Sequence, residues 1–406
     1  MKITVLGGAG TVGSISVRAL ASSGYVDKLR IADLNVQRAK EIAKELGGNV
    51  EVFKFNAEDI TSIKEAIKGF DVVLNTVGPF YKYGPRILST VIDSGINYVD
   101  ICDDYDATVE MLKLDSKAKK KGVSALIGMG SSPGLGNIVI KFVVDFLLDE
   151  VESIDIYHAH GGEPREGPAV VRHRIHSMLI DIPVFLDGEF KTVRLFEESG
   201  RALEEEVDFC GIGKYRVYAY PHPETITLPR YIKGVKRVTN LGLVLPPEYA
   251  ELIKTIVRIG MASEEPIEVN GIKIKPIDFA VAFILHQRPK ILEKAGLTEP
   301  IGCLKIVVKG KADGKPTTYV IEALSRGGMM HGTGVPAAIG AIMMGKGMIK
   351  EKGVFPPEAA VDPIEFIKLG SEILKKAKFE GVEKELPLKI YRIDEKGVKH
   401  EVPLPI

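Results

Sequence analysis

The chain is predicted to be α/β: a doubly wound parallel sheet, then an α+β domain with a mixed or antiparallel sheet. Three observations carry this. Short apolar runs alternate with helical stretches through the first 130 residues, the pattern of parallel strands joined by crossover helices. A glycine-rich turn follows the first run at once. From Val151 the alternation gives way to strand-like runs separated by turns.

Lys2-Ile3-Thr4-Val5-Leu6 reads as a buried strand, Gly7 to Gly13 as the turn and residues 14–23 as the helix after it. Residues 28–32 form a second strand that ends in Asp33. Further strands fall at 50–55, 71–75, 98–101 and 124–128. Residues 129–137 are a loop that enters a long apolar helix over 138–148, and the domain change is placed there, near residue 130. Beyond it, strands at 153–158, 183–186, 215–220, 303–309 and 317–323 dominate, with few helices between them. After Leu324 the pattern is helical again at 336–344 and 363–377, and 389–402 reads as a hairpin around Glu395-Lys396-Gly397.

The glycines gain meaning from this context. In Gly8-Ala9-Gly10-Thr11-Val12-Gly13, Gly8 is expected to make the tight turn, Gly10 to let a pyrophosphate approach, and Gly13 to let helix and strand pack closely. The helix N-terminus then offers unpaired N–H groups and a positive dipole end to phosphates. Asp33 lies 20 residues beyond Gly13, where an acid can bond the ribose hydroxyls of NAD. This predicts a Rossmann dinucleotide site. Gly7, Gly10 and Gly13 also fit the spacing of short-chain dehydrogenases, but none of the 13 tyrosines has a Lys four residues later. A carboxylate repels a 2′-phosphate, and the nearest cation is Arg38, so NAD is expected ahead of NADP. Ligands of such sheets sit beyond the carboxyl ends of the strands. Asn56-Ala57 and Thr76-Val77-Gly78-Pro79-Phe80 fall there and are candidate cofactor contacts with Thr11 and Val12.

Composition removes several classes. The net charge is zero, with no basic block, so nucleic acid is not an expected partner. No apolar run reaches the length of a membrane span, and Met1 leads straight into a strand. Cys102, Cys210 and Cys303 have no C-x-x-C spacing, which suits a reducing cytoplasm better than a disulfide framework. Only two glutamines stand against many Lys and Glu, a bias of thermophiles.

Several stretches occur in a telling order: the glycine loop, Asn75 to Phe80, Tyr98-Val99-Asp100, Ser132-Pro133-Gly134-Leu135-Gly136-Asn137 and Gly332-Thr333-Gly334-Val335-Pro336-Ala337-Ala338. Together they resemble the saccharopine dehydrogenase-like family, the lysine 6-dehydrogenase branch most. Thr227-Leu228-Pro229-Arg230 and Gly353-Val354-Phe355-Pro356-Pro357-Glu358 add to the likeness, which reaches to about residue 380. The resemblance implies an NAD(P)-binding domain over 1–130, a substrate and dimerisation domain over 131–324, and a helical segment over 325–406 that packs back on the first. It implies oxidation of an amine or secondary amine in an amino-acid-derived substrate, or the reverse reduction of an imine, and a homodimer. Carboxynorspermidine-type imine reductases of polyamine metabolism and non-catalytic members remain alternatives.

An amino-acid substrate needs a cation for its carboxylate, and Arg172, Arg174 and Arg230 are candidates for a bidentate clamp, or plain exposed charges. A base must take a proton from the ammonium. Asp103 and Asp104, just past the fifth strand, fit that work or the holding of the ammonium; the alternative is a helix N-cap. His158-Ala159-His160, His173 and His176 invite a metal reading, but no spacing matches a closed zinc site, and no metal is expected. His331, beside Gly332, is a candidate for the cleft. Phe80 and Tyr81 are read as stacking near the nicotinamide or as core. Met329, Met330, Met343, Met344 and Met348 are read as helix packing.

Overall fold

The computed structural model describes residues 1–163, 166–326, 329–377, 386 and 388–405. The first 126 residues lay down β1 (Lys2–Leu6), α1 (Thr11–Ser22), β2 (Lys28–Asp33), α2 (Val36–Leu46), β3 (Val50–Lys54), α3 (Ile60–Ile67), β4 (Val72–Asn75), α4 (Phe80–Asp93), β5 (Asn97–Asp100), α5 (Tyr105–Leu112), α6 (Asp115–Lys121) and β6 (Ser124–Leu126). The strands are parallel in the order β6-β5-β4-β1-β2-β3. All four residues of β4, Val72 to Asn75, are buried, as a strand covered on both faces requires. The order reverses between β1 and β4. The loops after these two strands therefore splay apart and open a crevice at the carboxyl edge.

The second layer is built from α7 (Leu135–Phe146), β7 (Glu150–Gly161), α8 (Pro168–Ser177), β8 (Ile182–Leu186), β9 (Glu189–Val193), α9 (Glu198–Arg201), β10 (Glu205–Phe209), β11 (Gly213–Ala219), α10 (Glu224–Tyr231), β12 (Arg237–Leu245), α11 (Pro247–Arg258), β13 (Ile267–Val269), β14 (Ile272–Ile274), α12 (Pro276–Lys294), β15 (Ile301–Ala312) and β16 (Lys315–Ser325). Its sheet is mixed, as expected: β12 runs parallel to β7, while β15 is antiparallel to it. The expectation of few helices is corrected. Besides α7, four helices of eight or more residues, α8, α10, α11 and α12, cover this sheet and its ends, and α12 alone has 19 residues. Pro229 and Pro289 lie inside α10 and α12, and Pro247 opens α11. Proline reads as a breaker in sequence, yet it is tolerated in a first turn and, with a kink, beyond it.

The remaining chain forms α13 (Met329–Gly345), β17 (Gly353–Phe355), α14 (Pro357–Ala360), α15 (Pro363–Lys376), β18 (Lys389–Ile393) and β19 (Lys399–Val402). It divides between the two layers and is not helical alone. Strand β17 pairs parallel with β6 as the seventh strand of the first sheet. The expected hairpin, β18 and β19, extends the second sheet beyond β16. Helix α13 packs on α1, where the Ser16 hydroxyl donates to the Gly334 carbonyl at 2.8 Å. One apolar core runs from Ile3 and Val5 through Ile138 of α7 and Ile339 of α13 to Ile154 and Ile306 of the second sheet. Met343 and Met344 are buried in it and Met348 packs against it, as read from sequence; the Met329 side chain lies outside the described residues. Among the described residues, no helix is long and apolar enough to cross a membrane.

Candidate active site

The glycine loop is fixed by what its side chains would hit. The left-handed residue is Gly7, with φ of 77°, so the tight turn belongs to Gly7 and not to Gly8 as expected. A Cβ on Gly8 would stand 3.1 Å from the Ile31 side chain, so Gly8 is small to fit against β2. A Cβ on Gly13 would lie 2.2 Å from the Gly7 carbonyl oxygen and 2.6 Å from the Thr76 hydroxyl. Helix and turn touch here. Gly10 is the N-cap of α1, and its added Cβ would meet only the Gly7 oxygen, at 3.1 Å. The first bond across the cap, from Ser14 N–H to the Gly10 carbonyl, leaves the N–H groups of Thr11, Val12 and Gly13 ahead of it.

Asp33 ends β2 beside this loop. Its carboxylate accepts the Ala9 N–H at 3.0 Å and the Asn35 N–H at 2.8 Å. Thr76 ties the loop after β4 to β1 by donating to the Leu6 carbonyl at 2.8 Å. Asn56 is exposed, with its side chain accepting the Glu58 N–H, and Ala57 is buried. Val77 donates its N–H to Asn75, Gly78 and Pro79 follow, and Phe80 opens α4. A glycine turn packed tightly at Gly7 and Gly13, a helix N-terminus and a fixed acid on β2 fit a nicotinamide dinucleotide.

Beside the loop lies a cavity of about 260 Å³ between the two layers. Thr11, Val12, Phe80 and Asp103 line it from the first layer. Asp104 stands at the N-cap of α5, but its side chain does not cap. It accepts the Tyr81 N–H at 3.0 Å and the His173 Nδ1–H at 2.7 Å. This joins the two layers, because His173 sits on α8. The other nitrogen of His173 lies 3.7 Å from Asp103 and 3.5 Å from the Tyr220 hydroxyl. Burial pulls the His173 pKa down, but the Asp103 and Asp104 carboxylates, with the Tyr220 oxygen beside the ring, more than offset it and hold the proton well above the usual range. Burial raises Asp104, and protonated His173 more than reverses this, so its carboxylate stays ionised. Asp103, Asp104 and His173 place ligand-type atoms within 4.8 Å of one another; the 2.7 Å contact commits Nδ1 and Oδ1 to a proton.

The second layer supplies further imidazoles. His158 and His160 alternate on β7 and both line the cavity. Burial, then His222 and His160, push His158 well below the usual range. Burial and then Arg174 push His160 down to about 4. Both are neutral at pH 7. His222 goes the other way: burial lowers it, but Glu224 at 3.0 Å raises it further. Glu224 also accepts from the Ser132 hydroxyl.

Arg174 lines the cavity, as the clamp reading requires. Its Nε and Nη2 donate to Glu166 at 3.0 and 2.7 Å. The Tyr249 hydroxyl and Arg288 meet the other Glu166 oxygen. Arg172 does not reach the cavity; it ion-pairs with Glu264 and Asp278. Arg230 is exposed at the end of α10 and outside the lining. His331 is half-buried on α13 and also outside it, although Met330 and Thr333 line it. Tyr81 stacks on His176 at 4.1 Å, and His176 bonds Asp106 at 2.9 Å. Sequence reasoning missed Tyr220, His222, Glu163 and Glu166. It named His158 and His160 only to discount a metal. Their alternation on a strand was the available signal, because i and i+2 share a face.

Residues 3–126 match the family model described as the saccharopine dehydrogenase NADP binding domain. Residues 130–379 match that of the saccharopine dehydrogenase C-terminal domain. A carboxyaminopropylagmatine dehydrogenase of Synechocystis is 24% identical over 393 residues, covering 91% of this chain and 96% of its own. A carboxynorspermidine synthase of Vibrio cholerae is 24% identical over 419 residues, covering 92% and 97%. Among solved structures, apo saccharopine dehydrogenase (L-Glu forming) of Saccharomyces cerevisiae superposes with a TM-score of 0.66 at 16% identity, over 97% of this chain and all of that one.

Proposed function

The chain belongs to the saccharopine dehydrogenase family, and from that premise we propose that it oxidises a C–N bond of an amino-acid-derived amine, or reduces the matching imine. The observation that supports this most is the Asp104–His173–Tyr220 chain, with Asp103, in a cavity shared with Thr11 and Val12 of the glycine loop.

The pyrophosphate would rest on the N–H groups at the start of α1 and the ribose on Asp33. Bound there, the dinucleotide accepts or supplies the hydride. The acid on β2 disfavours a 2′-phosphate, so NAD is our choice over NADP. The protein's own work is on protons and charge. Protonated His173 between two carboxylates leaves that cluster with one net negative charge, which holds a substrate ammonium or iminium in place. Asp104 fixes the imidazole, so His173 presents Nε2 to the cavity. In the reductive direction Nε2–H is the acid for the substrate nitrogen; in the oxidative direction the neutral ring is the base.

A second reading, reduction of a carboxylated polyamine imine, is favoured by the Synechocystis and Vibrio cholerae relatives, whose alignments each cover nine-tenths of the chain. Both readings share the proton chemistry. The test is formation of reduced nicotinamide absorbance, at alkaline pH, from lysine, saccharopine, ornithine and carboxylated polyamines with NAD or NADP. Turnover of one of them sets substrate and cofactor together. Dinucleotide binding with no turnover of any amine would argue for a non-catalytic member of the family.

A further inference from the structure

The arrangement at His173 occurs a second time in the same cavity. His173 gives Nδ1 to the Asp104 carboxylate at 2.7 Å, and His222 gives Nδ1 to the Glu224 carboxylate at 3.0 Å. Both carboxylates are buried, with side-chain exposures of 3% and 1%. Both imidazoles line the cavity, and among the described residues His222 Nε2 has no hydrogen bond. Tyr220 neighbours both rings, at 6.4 Å from His173 and 5.5 Å from His222 between centroids. The other groups facing His222 are His158 of β7, with its ring at 5.5 Å, and Asp103 after β5. Ser132 donates to the second Glu224 oxygen, so this carboxylate is held at both ends. An acid in the first turn of α10 also suits the helix dipole. That role needs neither burial nor a cavity imidazole as partner.

Oxidation of an amine occupies one acid–base group. Once His173 has taken the ammonium proton, it cannot take another. The iminium still has to exchange its nitrogen for water before a carbonyl and a free amine depart, and that exchange needs further proton transfers. We infer that His222, held by Glu224, is a second acid–base catalyst of the cavity and serves the exchange of the imine nitrogen for water, with Glu224 as its positioning residue. This rests on the amine dehydrogenase reading. Water attacks the imine carbon: the C–O bond forms, the C=N electron pair moves to nitrogen, and a water proton passes to Nε2. Nε2–H then protonates the carbinolamine nitrogen. The C–N bond breaks, the hydroxyl becomes the carbonyl by giving its proton to Nε2, and that proton leaves on the departing amine. Iminium and water thus become carbonyl and ammonium with no redox change. The bond from Nδ1 to Glu224 fixes the tautomer that presents Nε2 to the cavity.

The experiment mixes the NAD-loaded protein rapidly with lysine, saccharopine or ornithine and reads two signals. Absorbance follows reduced nicotinamide. Quenching into borodeuteride traps the imine as an amine one mass unit heavier, which mass spectrometry counts. His222→Gln and Glu224→Gln should keep the rate of the first-turnover absorbance burst within about threefold, lower kcat by roughly 10²-fold or more, and accumulate about one trapped imine per site. His173→Gln should lose the burst itself. NAD binding checks that each variant folds; if Glu224→Gln does not, His222→Gln carries the test. A burst slowed as much as kcat would overturn the role, and so would an unchanged kcat or a fall in kcat with no trapped imine. A raised KM at constant kcat would make His222 a binding residue instead. No burst from any of the three amines would sink the dehydrogenase reading and this role with it, whereas a burst without imine accumulation in the variants sinks this role alone.

Discussion

The glycine loop and the second-layer wall of the cavity beside it are built by opposite means. The loop meets its ligand with backbone and with the absence of side chains: Gly7 turns, Gly13 touches Gly7, and α1 presents N–H groups. The second-layer wall is built almost wholly of side chains, with His158, His160, His173, Arg174, Tyr220 and His222 drawn from three separated stretches of the chain. A backbone site binds what every relative binds. A side-chain site can change its ligand by substitution while the fold stays. This is where a family with one cofactor type would diversify its substrates.

The comparison breaks most visibly at His173. His173→Gln should lower kcat by roughly 10²- to 10⁴-fold, the usual size of a general acid–base contribution, with dinucleotide affinity unchanged. Equal loss of dinucleotide binding would show that loop and wall are not separable. In the loop, Gly13→Val drives a side chain into the Gly7 carbonyl and should cost about 3 kcal/mol of stability or more, read as a lower Tm. Gly10→Val has only one near neighbour, so it should keep the Tm while abolishing dinucleotide binding; a matching fall in Tm would refute the distinction.

Charge sharpens the contrast. The His173 pKa is raised, so the neutral ring needed for oxidation appears only as pH climbs through that raised value. Oxidation should rise, and imine reduction fall, across the same alkaline range, and the His173→Gln variant should lose the limb. By linkage the His173–Asp104 bridge stabilises fully below the free-histidine pKa of about 6.5 and is lost as pH passes the raised value. Unfolding midpoints against pH would show it. The smallest effect is expected at Asp33. Asp33→Ala should weaken NAD by about tenfold, one charged hydrogen bond, and relax rejection of NADP; an unchanged preference would remove Asp33 from the ribose.

Legibility followed the same division. Strands β1 to β6 and the glycine loop were readable because strand, turn and helix follow one another within about thirty residues. Even there, the positive φ fell on Gly7 and not Gly8, since the glycine pattern does not say which residue turns. The second wall was poorly readable. Asp103, Asp104 and Arg174 were named for their chemistry, but Arg172 and Arg230 were equally plausible in sequence. Helix α8 sends Arg174 into the cavity and Arg172 to Glu264, and a helix alternates its faces in a way the local composition did not reveal. Tyr220 and His222 follow β11 and meet α8 only through the sheet pairing of β11 with β12 and of β12 with β7, a non-local fact.

The late return of the chain to its first sheet has a consequence for its birth. Strand β6 ends at Leu126, but its neighbour β17 begins at Gly353. At translation rates of about 5–20 residues per second, that edge waits on the order of 10 to 50 s for its partner. An open parallel edge is an invitation to other chains, and the partly made protein must pass through that interval with the edge uncovered. Limited proteolysis of ribosome-bound chains halted before and after β17 would time its closure.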